Sequence, residues 1–343
     1  MKNITVYDIA KEANVSVSTV SRVLNDTAPV KASTREKVNA VIKKYQFQPN
    51  ALARSLISKA TGMIGMILPD ITNPFFPEVF KGAEDEARAK GYTLFLCNSG
   101  GDNRRESEYL SALMEKRVDG ILFLGGRINS TRCRPELADE VAELSERIPV
   151  VLVNGTLPKH SLHRVLTDEA AGAESASQHI IGLGHREIAF IGGVADMMPT
   201  VQKVKAFKKK MTENRLRIRP EWIVHGDFSV ESGKASMTKL LRGRERPSAV
   251  LCVNDFTAVG AVKAAIEHGL RVPEDISIVG YDDTPLATTV IPELTTVTQQ
   301  TYELGKQSVH LLHRLISGEK AKKVTILEPQ LVVRQSTGPY RAG

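Results

Sequence analysis

Apolar positions follow two different regimes along the chain. Up to Tyr45 they recur at helical spacing in three short runs. In the run from Ile4 to Ala13, Val6, Ile9, Ala10 and Ala13 share one face, with Thr5 placed as N-cap and Asp8 at the capping-box position. Asn14-Val15 makes a tight turn. Ser16 then caps a second helix, Val17 to Asn25, whose Val20, Val23 and Leu24 point inward while Val17, Ser18, Ser21 and Arg22 point out. A third helix spans Ser33 to Tyr45, capped by Ser33 or Thr34, with Val38, Val41 and Ile42 as its buried stripe. Pro49 ends the unit. The stretch from Asn50 to Leu56 is capped and rich in Ala and Leu, but so short a helix is marginal in water and needs a partner to persist.

From Thr61 onward, near-continuous apolar strand runs alternate with amphipathic helices. The strands are Met63 to Leu68, Thr93 to Asn98, Gly120 to Leu124, Val150 to Val153, Ile188 to Gly192, Ala249 to Asn254 and Ile276 to Tyr281. Helices such as Glu78 to Lys90, Glu106 to Lys116, Ala170 to Leu183 and Thr257 to His268 separate them. Strands of this kind predict parallel sheets covered on both faces, hence a doubly wound α/β body. Some 280 residues exceed what one such sheet usually takes, and two strand and helix series, about 61–162 and 163–292, predict two lobes with a cleft between them. Ligands of open parallel sheets sit at the carboxyl ends of strands. That rule points to Asp70, Asn73, Asn98, Asn254, Asp255, Asp282 and Asp283.

Charge separates the same two parts. Residues 1–60 hold ten Lys/Arg and four Asp/Glu, a net of +6, which leaves only +1 of the total +7 for the other 283 residues. A compact basic module on a nearly neutral body implies a polyanion partner for that module alone. Two helices joined by a tight turn, the second with an outward polar face, have the geometry that lays a helix in the major groove of duplex DNA. There Arg22 can donate two hydrogen bonds to guanine, Val17 can touch a thymine methyl and Ser18 can reach either kind of base edge. Tyr7, Thr19, Ser21 and Asn25 suit phosphates, which position a protein without reading sequence.

Other chemistries find little support. Cys97, Cys133 and Cys252 match no metal or redox spacing, and Cys97 and Cys252 read as small core residues on strands. No apolar leader follows Met1 and no run approaches the roughly 20 residues of a bilayer span, so a reduced, cytoplasmic protein without membrane partner is expected. Gly182-Leu183-Gly184 lacks a third glycine, since position 187 is Glu, and precedes a strand instead of following one. No phosphate-loop run and no His-Glu-x-x-His pair occurs, and His185 reads as a structural loop residue. Neither an enzyme, a metal nor a cofactor is expected.

The segments Val6 to Ala10, Val15 to Asn25 and Pro49 to Leu56 resemble the headpiece and hinge of the LacI/GalR family of bacterial regulators. The resemblance continues in order through Leu68 to Phe76, Lys116-Arg117-Val118-Asp119-Gly120, Gly184-His185-Arg186 and Val279 to Asp283. It implies residues 1–48 as a helix-turn-helix headpiece, 49–60 as hinge helix and linker, and 61–343 as a two-lobed body of the periplasmic-binding-protein-like fold. The lobes would comprise about 61–162 with 293–325, and about 163–292 with 326–340. It further implies a homodimer on a pseudo-palindromic operator, with Asn50, Ala53, Arg54 and Leu56 in the minor groove and Leu56 as a wedge that unstacks a base step. The absence of a leucine-heptad tail fits the dimer. A small-molecule effector, whether sugar, nucleoside or phosphorylated metabolite, would bind between the lobes at Asn73, Phe75, Phe76, Asp168, Lys203, Phe228, Asn254 and Asp282.

One departure bears on the effector. Many members carry an arginine before a Gly-Phe pair, where this chain reads Lys203-Val204-Lys205-Ala206-Phe207. A lysine cannot make the bidentate contact of a guanidinium. The Lys-Val-Lys run is similar to the catabolite control proteins of the same family, which answer to a phosphorylated carrier protein, the alternative partner here. Against it, in the run from Tyr302 to His310 the histidine stands where those proteins have arginine.

Overall fold

A computed structural model of the chain describes residues 4–25, 28–45, 47 and 60–341. Asn50, Ala53, Arg54, Leu56 and the side chain of Asn25 lie outside the described residues. The chain divides into two compact units, Met1–Thr61 and Gly62–Gly343.

The first unit holds α1 (Val6–Glu12), α2 (Val17–Asn25) and α3 (Ala32–Lys44). The expected capping box is present: Thr5 Oγ1 accepts from Asp8 N, and the Asp8 carboxylate accepts from Thr5 N at 2.9 Å. Ser16 Oγ accepts from Thr19 N at 3.2 Å, closing the first turn of α2. The third helix differs from expectation. It begins at Ala32 with Lys31 at the cap position and no side-chain cap, so Ser33 and Thr34 lie inside the helix. Ile9, Ala10, Ala13, Val20, Val23 and Val38 form the core, drawn from all three helices.

The second unit runs β1 (Met63–Leu68), α4 (Phe75–Ala89), β2 (Thr93–Asn98), α5 (Asn103–Glu115), β3 (Gly120–Leu124), α6 (Pro135–Ser145), β4 (Val150–Val153) and β5 (His163–Thr167). It continues with α7 (Glu169–Gly182), β6 (Ile188–Gly192), α8 (Met198–Glu213), β7 (Ile223–His225), α9 (Val230–Leu241), β8 (Ala249–Cys252), α10 (Asp255–Glu267) and β9 (Ser277–Val279). The short α11 (Leu286–Thr289), β10 (Thr296–Thr298), α12 (Thr301–Ile316), β11 (Val324–Leu327) and β12 (Gln330–Val332) follow.

One six-stranded parallel sheet has the order β11-β5-β4-β3-β1-β2, and one four-stranded parallel sheet the order β7-β6-β8-β9. Successive strand residues serve opposite faces, as the pleat requires. Met66 and Leu68 pack with Val79, Ala83 and Leu304 of α4 and α12, while Ile67 packs with Leu110, Leu113 and Val141 of α5 and α6. The smaller sheet is covered likewise, by α9 and α10 on one face and α7 and α8 on the other. Both lobes are therefore doubly wound.

The lobe boundary moves from its expected place. His163–Thr167 does not open the second lobe; β5 is hydrogen-bonded between β4 and β11 in the first sheet. Conversely β10 pairs antiparallel with β12 and bridges from Thr295 to Val279 and from Thr298 to Asp282 extend the second sheet, so residues 293–298 belong to the second lobe. Pairing between segments decides membership, as where Arg164 of β5 meets Val324 of β11, and the pattern within either segment does not carry that information.

Candidate functional site

On α2 the polar stripe stands on a packed base. Val20 and Val23 are buried, which holds the helix against α1 and α3 and leaves Val17, Ser18 and Arg22 exposed together on the other side. Thr19 and Ser21 flank that stripe half-buried, and Tyr7 on α1 is 74% exposed. The Ser18 hydroxyl lies 2.8 Å from that of Ser16 and the Thr19 hydroxyl 2.9 Å from it, so the helix start is a small hydroxyl cluster. Such a surface offers one long guanidinium, one methyl-bearing side chain and short hydroxyls, a set suited to base edges and phosphates.

In the second unit a cavity of about 550 Å³ lies at the carboxyl ends of the strands of both sheets. Asn73, Phe75, Phe76, Lys203, Phe228, Asn254 and Asp282 all line it. Phe75 and Phe76 make an edge-to-face pair, ring centres 5.2 Å apart. From the other lobe Phe228 stands at φ 73°, and its ring occupies space that only a glycine at 193 leaves open: a Cβ there would sit 2.2 Å from it. Asn254 Oδ1 accepts from Thr257 N, capping α10, and its Nδ2 donates to Phe228 O at 3.0 Å, so this side chain fixes the aromatic's backbone.

Two of the expected residues are placed differently. Asp168 is exposed, caps α7 by accepting from Ala171 N at 2.9 Å and is absent from the cavity lining. Its neighbour Glu169 is buried and faces the cavity instead. Asp168 spends its carboxylate on the first amides of α7, and it is the next residue that turns toward the cleft. Lys203 does line the cavity, but its ammonium is spent. It pairs with Glu169 Oε2 at 2.8 Å, donates to Val253 O at 3.0 Å and lies 3.6 Å above the Tyr281 ring.

A polar chain links these groups across the lobes. Asn154, at the end of β4, donates to Glu169 at 3.3 Å and to Gln299 Oε1 at 3.1 Å, and Gln299 donates to Asp282 Oδ1 at 2.6 Å. Asp282 is buried at φ 102°, and burial pushes its carboxyl up to about 8, against the opposing pull of Lys203. Asp255, one residue past Asn254, is raised to about 6 by burial while Thr284 and Thr296 donate to it. Arg127 is the other cation of the lining. Its guanidinium is buried against Glu106 and Glu140 and bonds Ser107 and the Leu137 carbonyl. Neither cation is left to meet an anion.

Sequence reasoning missed Asn154, Glu169, Gln299 and Arg127. Asn154 follows a strand as Asn254 does, and the strand-end rule would have found it; Gln299 and Arg127 carry no local signal. His185 is structural, as read: its ring contacts Ser248 Oγ at 2.9 Å and donates to Gly338 O at 3.0 Å. Among the described residues no helix is long and apolar enough to cross a membrane, and no cluster of metal-ligating side chains occurs.

A groove-fitting helix on a small helical unit and a cavity between two parallel-sheet lobes define a ligand-responsive, DNA-binding transcriptional regulator. Residues 5–50 match the bacterial regulatory proteins of the lacI family, and residues 177–337 match the periplasmic binding protein-like domain. The chain is 39% identical to the HTH-type transcriptional regulator DegA of Bacillus subtilis (strain 168), over 98% of each chain. It is 38% identical to catabolite control protein A of Priestia megaterium, over 98% of this chain and 99% of that one. The lac repressor dimer bound to operator and the anti-inducer ONPF superposes with a TM-score of 0.87 at 29% identity, covering 98% of this chain and 100% of that one. The chain belongs to the LacI family of bacterial transcriptional regulators. It is not an enzyme.

Proposed function

We propose that this protein is a repressor that binds a pseudo-palindromic operator as a homodimer, one α2 in each half-site, under the control of a small molecule held between the lobes. The observation that carries the reading is the exposed stripe of Val17, Ser18 and Arg22 on a helix whose opposite face is fully packed. In this reading Val17, Ser18 and Arg22 face bases, and Tyr7, Thr19, Ser21 and Asn25 face phosphates. Asn50, Ala53, Arg54 and Leu56 enter the central minor groove, with Leu56 as wedge. Working on bacterial operators, the protein acts in the cytoplasm.

In the cavity, Phe75, Phe76 and Phe228 supply aromatic walls, and Asn73, Asn254 and Asp282 the polar anchors. Lys203 acts at one remove, by neutralising Glu169 beneath them. With Lys203 and Arg127 both paired, an uncharged ring bearing hydroxyls, a sugar or a nucleoside, fits better than a phosphorylated metabolite. The alternative partner, a phosphorylated carrier protein, has less support. His310 lies 3.7 Å from Glu86 and Tyr302 donates to Asp85, an acidic setting for a phosphoryl group. Selection of duplexes from a random pool tests the central reading: inverted repeats should be enriched, and enrichment of no symmetric sequence, with or without candidate ligands, would overturn it. Calorimetric titration of paired sugars and their phosphates tests the ligand class, the phosphates being expected to bind more weakly.

A further inference from the structure

The near-neutral body conceals a segment more basic than the headpiece. Residues 198–246 hold thirteen Lys/Arg against five Asp/Glu, a net of +8 in 49 residues, offset by acidic excess elsewhere. The fold gathers part of this charge at one place. Arg215 and Arg217 lie on the loop leading to β7, and Arg242, Arg244 and Arg246 on the loop leading to β8. Arg219 ties these loops together: it donates to Glu187, just before β6, at 3.0 Å and pairs with Glu245 between the other arginines. Backbone bonds from Ser248 N and Ala249 N to Glu187 O hold the same junction. All three loops enter parallel strands, so they share the amino-terminal edge of the second sheet. The cavity takes the opposite, carboxyl edge, about 16 Å away at the rise of a five-residue strand.

The five arginines are exposed, and among the described residues no carboxylate pairs with any of them. Like charges crowded on one edge raise the energy of the free protein and favour a polyanion there. Among the described residues the surface has no apolar centre of the kind that protein partners bury, since Leu216 and Ile218 are only half-exposed between the guanidinium groups. Arginine-rich, polar and strongly positive surfaces are what phosphodiester backbones meet, with planar donors matched to phosphate oxygens.

We propose that this edge of the second lobe is a second, sequence-independent binding surface for duplex DNA, which lets an operator-bound dimer hold another DNA segment. The proposal rests on the DNA-binding reading of the chain only for the identity of the polyanion. The test uses the full-length protein saturated with a short, unlabelled operator duplex and then titrated with a fluorescent random duplex at low salt. The wild type should retain the second duplex, and retention should fall steeply with added salt as counterions return to the phosphates. The combined variant Arg215→Glu, Arg217→Glu, Arg242→Glu, Arg244→Glu should lose retention by about tenfold or more while binding the operator as before. The milder pair Arg242→Gln, Arg244→Gln guards against misfolding and should lose part of it.

No retention by the wild type, or undiminished retention by folded variants, would overturn the proposal. Tighter binding of polyglutamate than of the random duplex would overturn it in favour of an acidic protein. Failure to bind the operator at all would instead strike the primary reading, which this experiment reads separately.

Discussion

Arg22 and Asp282 show how much a single side chain depends on what surrounds it. Arg22 is exposed on α2 beside Ser18 and Val17, and its reach into a groove would be bidentate to one guanine per half-site. Arg22→Ala should relax preference at that one base pair, at a cost of about 1–3 kcal/mol there, measured by competition between operators differing at each position. A uniform loss across all operators would assign Arg22 to phosphate instead. Asp282 is buried, and its carboxyl is pushed up to about 8 from an ordinary value near 3.8, chiefly by burial. Between those two values the unfolded chain has released this proton and the folded chain has not, so the group contributes instability that grows with pH and is complete above pH 8. Asp282→Asn removes that dependence. The wild type should therefore lose stability relative to the variant as pH rises from 5 to 8, by up to about 1.4 kcal/mol per pH unit in urea titrations. Parallel curves for the two proteins would show that the carboxyl is ionised throughout. Asp282 was legible in the sequence as a polar residue after a strand; the proton it keeps was not, because that depends on burial and on the neighbouring carboxylates of Asp255 and Glu169, set against the opposing pull of Lys203 and Gln299, which distant segments bring together.

At the level of elements, strands declared themselves where both faces are buried. Met63–Leu68, Gly120–Leu124, Val150–Val153 and Ile188–Gly192 appear as read, because a continuous apolar run has few other uses. His163–Thr167 escaped notice: as HRVLT it mixes polar and apolar residues, and only pairing with β4 and β11 makes it a strand. Helix packing was equally hidden. In the first lobe α4 and α12 cross at paired glycines, where a Cβ on Gly82 would stand 1.9 Å from the Tyr302 carbonyl oxygen and one on Gly305 1.9 Å from that of Val79. The second lobe repeats the device in α9 and α10, where a Cβ on Gly233 would stand 2.2 Å from the Thr257 carbonyl oxygen and one on Gly260 2.0 Å from that of Val230. Backbone cannot yield as a flexible side chain does, so the helices must part. Gly305→Ala and Gly233→Ala should each cost about 1–3 kcal/mol by urea unfolding, although alanine is the better helix former in solvent. A gain in stability at either site would mean that the helices do not approach so closely.

Across the whole molecule, the two units carry separate cores of very different size. Among the described residues, the first rests on six buried side chains drawn from α1, α2 and α3, while four clusters stabilise the second. A domain of some 40–60 residues buries a small share of its surface and is marginal alone, whereas the larger unit is not. Differential scanning calorimetry without DNA should therefore resolve two transitions, the smaller belonging to the first unit. Excess operator binds folded headpiece and not unfolded chain, so at about 100 times Kd it adds about 2.7 kcal/mol to that unit. For a domain of this size, each kcal/mol moves the midpoint by about 4–8 °C, so the smaller transition should climb by about 10 °C or more. The shift should shrink as salt rises, because the affinity that drives it comes largely from displaced counterions. A cavity ligand should raise the larger transition, since its contacts lie within the second unit. One merged transition in DNA-free protein would show that the cores are coupled, and an operator-induced rise confined to the larger transition would place the DNA contacts on the body.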